Sequence, residues 1–102
     1  MRIELLHIAE CPNWEATSHL LRAALDATGH PDTPITVTLI NSPESAERVP
    51  FAGSPTILVD GTDLFPSGER TYELACRMYL TSTGLAGHPT QEQIKESLTA
   101  RG

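Results

Sequence analysis

Cys11 has the surroundings of a reactive thiol. It follows an apolar run at residues 2–8 that is typical of a buried strand, and Pro12 after it suits the first position of a helix. A thiol at such a junction faces unpaired backbone N–H groups and the positive end of the helix dipole, which favour the nucleophilic thiolate. The carboxylates of Glu10 and Glu15 oppose that ionisation. The alternative interpretation of Cys11 is a small apolar cap residue without chemistry.

A metal site is the second chemistry that the residue types suggest. The four histidines show no paired metal-ligand spacing. His7 would join Cys11 and Cys76 as ligands of a soft metal if the fold brought the three together, because thiolate and imidazole suit such metals. A strand histidine with a satisfied hydrogen bond is the simpler interpretation of His7. We therefore predict no metal site and no cofactor.

The elements that must position Cys11 alternate between strand and helix patterns. The predicted strands are residues 2–8, 35–40, 56–59 and 62–65, and the predicted helices are 14–28, 43–48 and 90–101. Thr90 and Gln93 have the spacing of a capping box. Residues 69–87 have no single periodicity, and we predict a loop there with a short extended segment at 76–81. A strand–helix–strand start implies a right-handed crossover and a parallel pair.

Composition restricts the partners. The net charge is −6 and Lys95 is the only lysine, which argues against nucleic acid and anionic membrane surfaces as partners. No apolar run approaches the ~20 residues of a transmembrane helix, and the first residues lack a signal-peptide pattern. Two cysteines are too few for a secreted disulfide framework. We expect one domain over residues 1–102, located in the cytoplasm with free thiols.

Two stretches resemble the thioredoxin-like superfamily. One is Cys-Pro-Asn-Trp at 11–14, and the other is Gly-Ser-Pro-Thr at 53–56, directly before the third predicted strand. The resemblance implies an α/β, thioredoxin-like fold, βαβαββα, with a mixed four-stranded central sheet and flanking helices. It also implies a cis Pro55 that lies against Cys11, with the backbone of Ser54 holding an incoming peptide or thiol by strand-like hydrogen bonds.

The chain is also similar to a group of small bacterial thioredoxin-like proteins, some of which are labelled alkylmercury lyase-like. The motifs are Cys-Pro-Asn-Trp at 11–14, Cys-Arg-x-Tyr at 76–79 and Gly-Leu-x-Gly-x-Pro-Thr at 84–90. Organomercurial lyases use two cysteines and an aspartate. Asp60 and Asp63 flank a predicted turn and no motif connects them with the cysteines, so we expect mercurial binding rather than cleavage.

The chain departs from thioredoxin at Trp14, which stands where the second active-site cysteine is expected. Cys76 is then the candidate that resolves a mixed disulfide on Cys11, provided that the two Cα atoms lie within about 7 Å. The alternative is a core cysteine. Trp14 is expected at the rim of the site or in the core. The candidate site comprises the catalytic residues Cys11 and Cys76 and the substrate-contacting residues Pro12, Trp14, Ser54 and Pro55.

Three functions are compatible with these residues. The first is a thiol–disulfide oxidoreductase in which the Cys11 thiolate attacks a disulfide, and Cys76 or an external thiol completes the exchange. Its partner would be a protein thiol or disulfide, or a low-molecular-weight thiol. The second is binding of a soft metal or an organomercurial by paired thiolates. The third is a non-catalytic thioredoxin-like binding module, including one that forms a homodimer.

Overall fold

The computed structural model describes residues 1–66 and 74–101, which form a four-stranded mixed sheet, a two-stranded hairpin and three helices. The strands are β1 (Ile3–His7), β2 (Ile35–Leu39), β3 (Thr56–Val59), β4 (Thr62–Asp63), β5 (Tyr79–Thr81) and β6 (Gly84–Ala86). The helices are α1 (Asn13–Ala27), α2 (Pro43–Glu47) and α3 (Gln91–Arg101). The predicted α/β class and mixed four-stranded sheet are confirmed. Within the described ranges, no helix is long and apolar enough to cross a membrane.

Strand β1 lies inside the sheet, whose strand order is β2-β1-β3-β4. Its Leu5 pairs in parallel with Val37 of β2 and antiparallel with Ile57 of β3. A strand in this position contacts the core on both faces, which explains why its sequence is nearly continuously apolar. The chain therefore enters the Cys11 turn from the interior of the sheet.

Each face of the sheet carries its own core. The aliphatic core, which includes side chains of α1 and α3, consists of Ile3, Leu5, Leu21, Ala24, Leu25, Ile57, Val59, Leu64, Ile94 and Leu98. The α2 core consists of Leu6, Ile8, Cys11, Ile40, Ala46, Phe51 and Leu58. Because successive strand residues point to opposite faces, Leu5 and Leu6 belong to different cores. Cys11 is thus packed against the face that α2 covers.

The helix ends follow local sequence signals. Helix α1 begins at Asn13, and Pro12 precedes it with nearly helical angles, φ −77° and ψ −9°, one position earlier than predicted. Gly29 follows the helix with φ 88°, a conformation that glycine adopts easily. The capping box of α3 is confirmed, since the Thr90 hydroxyl accepts from the Gln93 N–H and the Gln93 side chain accepts from the Thr90 N–H.

The region after β3 differs from the prediction in two respects. Strand β4 ends at Asp63 instead of continuing to residue 65. Strand β5 lies inside the extended segment predicted at 76–81, but the residues after it, which were expected as a loop, contain β6. The two strands pair antiparallel with Leu80 opposite Leu85. The Thr81 hydroxyl closes their turn by donating to the Gly84 carbonyl at 2.6 Å. The element order is therefore βαβαββββα, and the predicted loop at 69–73 lies outside the described residues.

Candidate active site

Cys11 lies in the turn between β1 and α1, and the residue is only 1% exposed. Its backbone N–H donates to the Ile8 carbonyl at 3.3 Å, which closes the turn. The backbone N–H of Asn13 hydrogen-bonds to the Cys11 sulfur, and the side-chain nitrogen of Asn13 lies 3.8 Å from it. The first turn of α1 therefore directs donors to the sulfur, as the strand–helix junction predicted.

The predicted cis Pro55 is confirmed, because the Ser54–Pro55 peptide bond is cis. The Ser54 carbonyl accepts from the Cys11 thiol at 3.6 Å. The Ser54 hydroxyl accepts from the backbone N–H of Ile8 at 3.1 Å, and Ser54 is fully buried. These contacts hold residues 53–55, which we call the cis-proline loop, against the end of β1 and against Cys11.

A second segment, residues 75–79, runs along the cis-proline loop, and we call it the docking segment. The Ser54 N–H donates to the Ala75 carbonyl at 2.9 Å, and the Arg77 N–H donates to the Ser54 carbonyl at 2.8 Å. These bonds form a parallel bridge that places Ser54 beside Cys76. The Tyr79 hydroxyl donates to the Pro55 carbonyl. Three hydrogen bonds thus join the two segments across a long sequence separation.

Arg77 anchors the docking segment from its other side. The guanidinium group forms an ion pair with Asp63 at 2.8 Å, donates to the Phe65 carbonyl and lies 4.5 Å from the centre of the Tyr79 ring. Arg77 and Asp63 are mostly buried, with exposed side-chain fractions of 8% and 12%. Gly53 has φ 106°, and a Cβ there would lie 2.8 Å from the Arg77 Cβ, so close approach of the two segments requires glycine.

Cys76 is exposed, so its interpretation as a buried core cysteine is wrong. Cys76 lies beside Ser54 in the parallel bridge, and the Ser54 carbonyl contacts the Cys11 sulfur, so the two cysteines are close enough to influence each other's ionisation. Both residues are free cysteines in the structure. The fold therefore brings together the two sulfurs that the sequence left far apart, one buried and the other facing solvent.

The two thiols have opposite pKa shifts. Burial alone raises the pKa of Cys11, but interactions with the Ser54 side chain, with the Asn13 backbone N–H and with the Cys76 side chain outweigh it and hold the pKa below its ordinary value. The pKa of Cys76 is raised, first by its hydrogen bond to Cys11, then by burial and by the negative charges of Cys11 and Glu10. The pair therefore favours a thiolate on Cys11 with the remaining proton on Cys76.

The other predicted site residues lie around this pair in different ways. Pro12 is exposed at the start of α1. Trp14 is partly buried, stacks on His7 with ring centroids 4.4 Å apart and packs against the aliphatic core from its edge. Among the described residues, no group of three or more His, Cys, Asp or Glu side chains is arranged to hold a metal ion. The soft-metal triad of His7, Cys11 and Cys76 is thus not formed.

Sequence reasoning missed the residues that fasten the docking segment. Arg77 and Tyr79 belong to the Cys-Arg-x-Tyr motif, of which only the cysteine is a predicted site residue. Asp63 flanks a predicted turn, and nothing near it in the sequence points to an ion pair. The only signal in the sequence is an arginine between a cysteine and an aromatic residue. A buried arginine needs an acidic partner, and the sequence does not show which acidic residue that is.

Comparison with protein-family models, with curated proteins and with solved structures gave no match to this chain. A groove of about 500 Å³ lies beside Arg77 and Tyr79, but Cys11 does not line it. Cys11 and Cys76 are the described nucleophilic groups with shifted pKa values, and they lie at the contact between the cis-proline loop and the docking segment.

Proposed function

We propose that this protein is a thioredoxin-like thiol–disulfide redox protein in which Cys11 is the attacking thiolate and Cys76 is the resolving thiol. The observation that carries the proposal is that Ser54 pairs with Cys76 in the parallel bridge while its carbonyl contacts the Cys11 sulfur. This places the two cysteines together, and the pKa of Cys11 is lowered while that of Cys76 is raised. A nucleophilic thiolate needs a lowered pKa, and a resolving thiol must lie within reach of the first sulfur.

The exchange proceeds in two balanced steps. The Cys11 thiolate attacks one sulfur of a disulfide, a new S–S bond forms, the old one breaks, and the second sulfur leaves as a thiolate. Cys76 then loses its proton to solvent and attacks the Cys11 sulfur. A disulfide forms between Cys11 and Cys76, and the remaining half of the substrate leaves as a thiolate. The protein is thereby oxidised by two electrons and the substrate disulfide is reduced to two thiols.

Several features support a thioredoxin-like fold as part of this proposal. Strand β1 is followed by the cysteine turn, α1 and the parallel strand β2, and β3 and β4 add antiparallel strands. The cis proline lies directly before β3. The hairpin of β5 and β6 is an addition to the expected pattern, and it continues from the docking segment that carries Cys76.

Mercurial cleavage is less well supported than redox exchange. Cleavage needs an acid near the thiolates, yet the Asp60 carboxylate accepts from the Arg2 backbone at 2.7 Å and Asp63 is paired with Arg77. Two adjacent thiolates still suit a two-coordinate soft metal. A non-catalytic binding module, as a monomer or a homodimer, is the remaining alternative and would need no reactive thiol.

The test is intact-mass analysis after mild oxidation, followed by alkylation under denaturing, non-reducing conditions. We expect the wild-type chain to lose two hydrogens and to take up no alkyl group, because the two thiols lie together. Cys76→Ser should instead form a mixed disulfide when it is mixed with a small disulfide, and Cys11→Ser should form much less of it at neutral pH.

Two results would overturn the proposal. Alkylation of both thiols after oxidation would show that Cys11 and Cys76 do not form a disulfide. Equal mixed-disulfide yields for the two serine variants would remove the distinction between attacking and resolving thiols. Stoichiometric mercury binding that requires both cysteines, without disulfide exchange, would favour the metal-binding alternative.

A further inference from the structure

We propose that the substrate of Cys11 is a low-molecular-weight disulfide rather than an extended peptide, because the chain's own docking segment occupies the backbone edge beside Cys11. This inference rests on the proposed function and assigns it a substrate class. An extended peptide binds a strand-like edge by using the backbone N–H and C=O of that edge. At the cis-proline loop, both groups of Ser54 are already hydrogen-bonded within the chain.

Both backbone groups of Ser54, the N–H and the carbonyl, already have hydrogen-bond partners within the chain. Its N–H donates to the Ala75 carbonyl at 2.9 Å, and its carbonyl accepts from the Arg77 N–H at 2.8 Å and from the Cys11 thiol at 3.6 Å. Cys76 stands directly beside Ser54 in this bridge. The chain therefore presents its own cysteine where an incoming peptide would present one, and a peptide would have to displace the segment first.

Displacing the docking segment would break more than two backbone bonds. The buried Arg77 guanidinium is paired with Asp63 and donates to the Phe65 carbonyl. The Tyr79 hydroxyl donates to the Pro55 carbonyl, and Tyr79 is 5% exposed. Removing the segment would separate a mostly buried ion pair and expose an aromatic ring, both of which are unfavourable.

A small disulfide needs a smaller rearrangement. The Cys76 side chain is exposed, and exposed side chains change rotamer on the picosecond-to-nanosecond timescale without any backbone movement. Such a rotation moves the Cys76 thiol away from the Cys11 sulfur. The sulfur of a small disulfide can then approach Cys11 while the hydrogen bonds of Ser54 with Ala75 and Arg77 stay intact.

The experiment compares two disulfides that share one leaving group. In Cys76→Ser, Cys11 is the only thiol, so release of thionitrobenzoate reports its attack alone. One probe is the mixed disulfide of thionitrobenzoate with mercaptoethanol, and the other is its mixed disulfide with a central cysteine in an uncharged nine-residue peptide. Because the leaving thiol is the same, the ratio of the two rates reports access.

Each rate is first divided by the rate of the same probe with a free cysteine peptide. We expect the peptide disulfide then to react about tenfold or more slowly than the small one, because the two backbone hydrogen bonds between Ser54 and the docking segment must be broken. Arg77→Ala, combined with Cys76→Ser, should bring that ratio towards one. Tyr79→Phe should move it in the same direction by less and serves as the milder variant if Arg77→Ala does not fold. Arg22→Ala, which removes loop contacts away from Cys11, should leave the ratio unchanged.

The outcomes separate this inference from the function on which it rests. Equal normalised rates for the two probes in Cys76→Ser would overturn the substrate class while the thiol chemistry stands. The substrate class would also be overturned if the peptide disulfide reacts slowly but its rate relative to the small disulfide changes in neither Arg77→Ala nor Tyr79→Phe. The docking segment would then not be the barrier to the peptide. Failure of both probes to react at Cys11 would overturn the proposed function together with the inference.

Discussion

The aliphatic core and the contact between the docking segment and the cis-proline loop are held together by different forces. The aliphatic core consists of Leu, Ile, Val and Ala side chains whose burial is non-directional and tolerant of small shifts. The docking contact consists of two backbone hydrogen bonds, a buried ion pair and a tyrosine hydroxyl, each of which requires one geometry.

Because of this difference, mutations in the two regions should affect folding stability and thiol reactivity in different ways. The aliphatic core can lose a methylene group and leave the positions of the two sulfurs unchanged. The docking contact cannot shift without moving Cys76 relative to Cys11, because Ser54 bonds to the residues on both sides of Cys76 and also accepts from Cys11. We therefore expect mutations in the core to change folding free energy alone and mutations in the docking contact to change folding and thiol reactivity together.

The largest effect is expected for Asp63→Ala. It leaves the Arg77 guanidinium mostly buried without its ion pair and removes the acceptor of the Phe65 N–H, so the free energy of unfolding should fall by about 3–5 kcal/mol. Disulfide formation between Cys11 and Cys76 should also slow. Chemical denaturation and intact-mass analysis measure the two effects.

The matched control for Asp63→Ala is Asp26→Ala, which breaks the exposed Arg22–Asp26 pair. An exposed i,i+4 pair contributes about 0.3–0.5 kcal/mol, so this variant should be nearly as stable as wild type and should form the disulfide at the same rate. Similar losses of stability in both variants would show that the Arg77–Asp63 pair is not a special anchor.

Leu21→Ala tests the other region. Leu21 is fully buried in the aliphatic core, and its truncation should lower the free energy of unfolding by about 2–5 kcal/mol. Under conditions where the variant remains folded, the pH midpoint of Cys11 alkylation should equal that of wild type. Leu80→Ala is the control, since Leu80 is 74% exposed and its truncation should cost little stability. A shifted midpoint in Leu21→Ala would contradict the separation of stability from chemistry.

Cys76→Ala has a smaller effect, confined to the site. The hydrogen bond from Cys76 helps to hold the pKa of Cys11 below its ordinary value, so without it the pKa of Cys11 should rise. The alkylation rate of Cys11, followed against pH by mass spectrometry, should reach its midpoint at a higher pH. The midpoint is the relevant quantity, because the substitution also uncovers the sulfur and changes the plateau rate.

Cys76→Ser is the control for that measurement. Its hydroxyl retains a donor for the Cys11 thiolate, so its alkylation midpoint should lie between those of wild type and Cys76→Ala. Identical midpoints for wild type and Cys76→Ala would mean that Cys76 does not influence the ionisation of Cys11.

The smallest effect is expected for Tyr79→Phe. Loss of the hydrogen bond to the Pro55 carbonyl should lower the free energy of unfolding by about 1 kcal/mol at neutral pH. Burial raises the pKa of Tyr79, so the folded protein keeps this proton above about pH 10, where an unfolded tyrosine loses it. Wild-type stability should therefore fall as the pH rises beyond that value, and the fall should be smaller in Tyr79→Phe. Equal alkaline losses measured by denaturation would contradict this assignment.

Local signals predicted much of the fold and one half of the site. The apolar run of β1, the turn at Cys11 and the capping box of Thr90 and Gln93 are recognisable because each depends on residues within a few positions. The cis Pro55 was predicted from a motif. The extended segment predicted at 76–81 contains β5, but β6 and its pairing with β5 were missed, since a Thr-Ser-Thr-Gly turn between short, half-exposed strands has no clear alternation of polar and apolar residues.

The sequence by itself determined the α/β class, the position of Cys11 at a helix N-terminus and the absence of a second cysteine near it in the chain. Only the tertiary structure decided that Cys76 meets Cys11, that Ser54 is bonded on both sides and that Arg77 is paired with Asp63. The physical reason is the range of the forces. Caps, turns and helix dipoles act within one turn of the chain, whereas hydrogen bonds and ion pairs between distant segments exist only after the chain has folded.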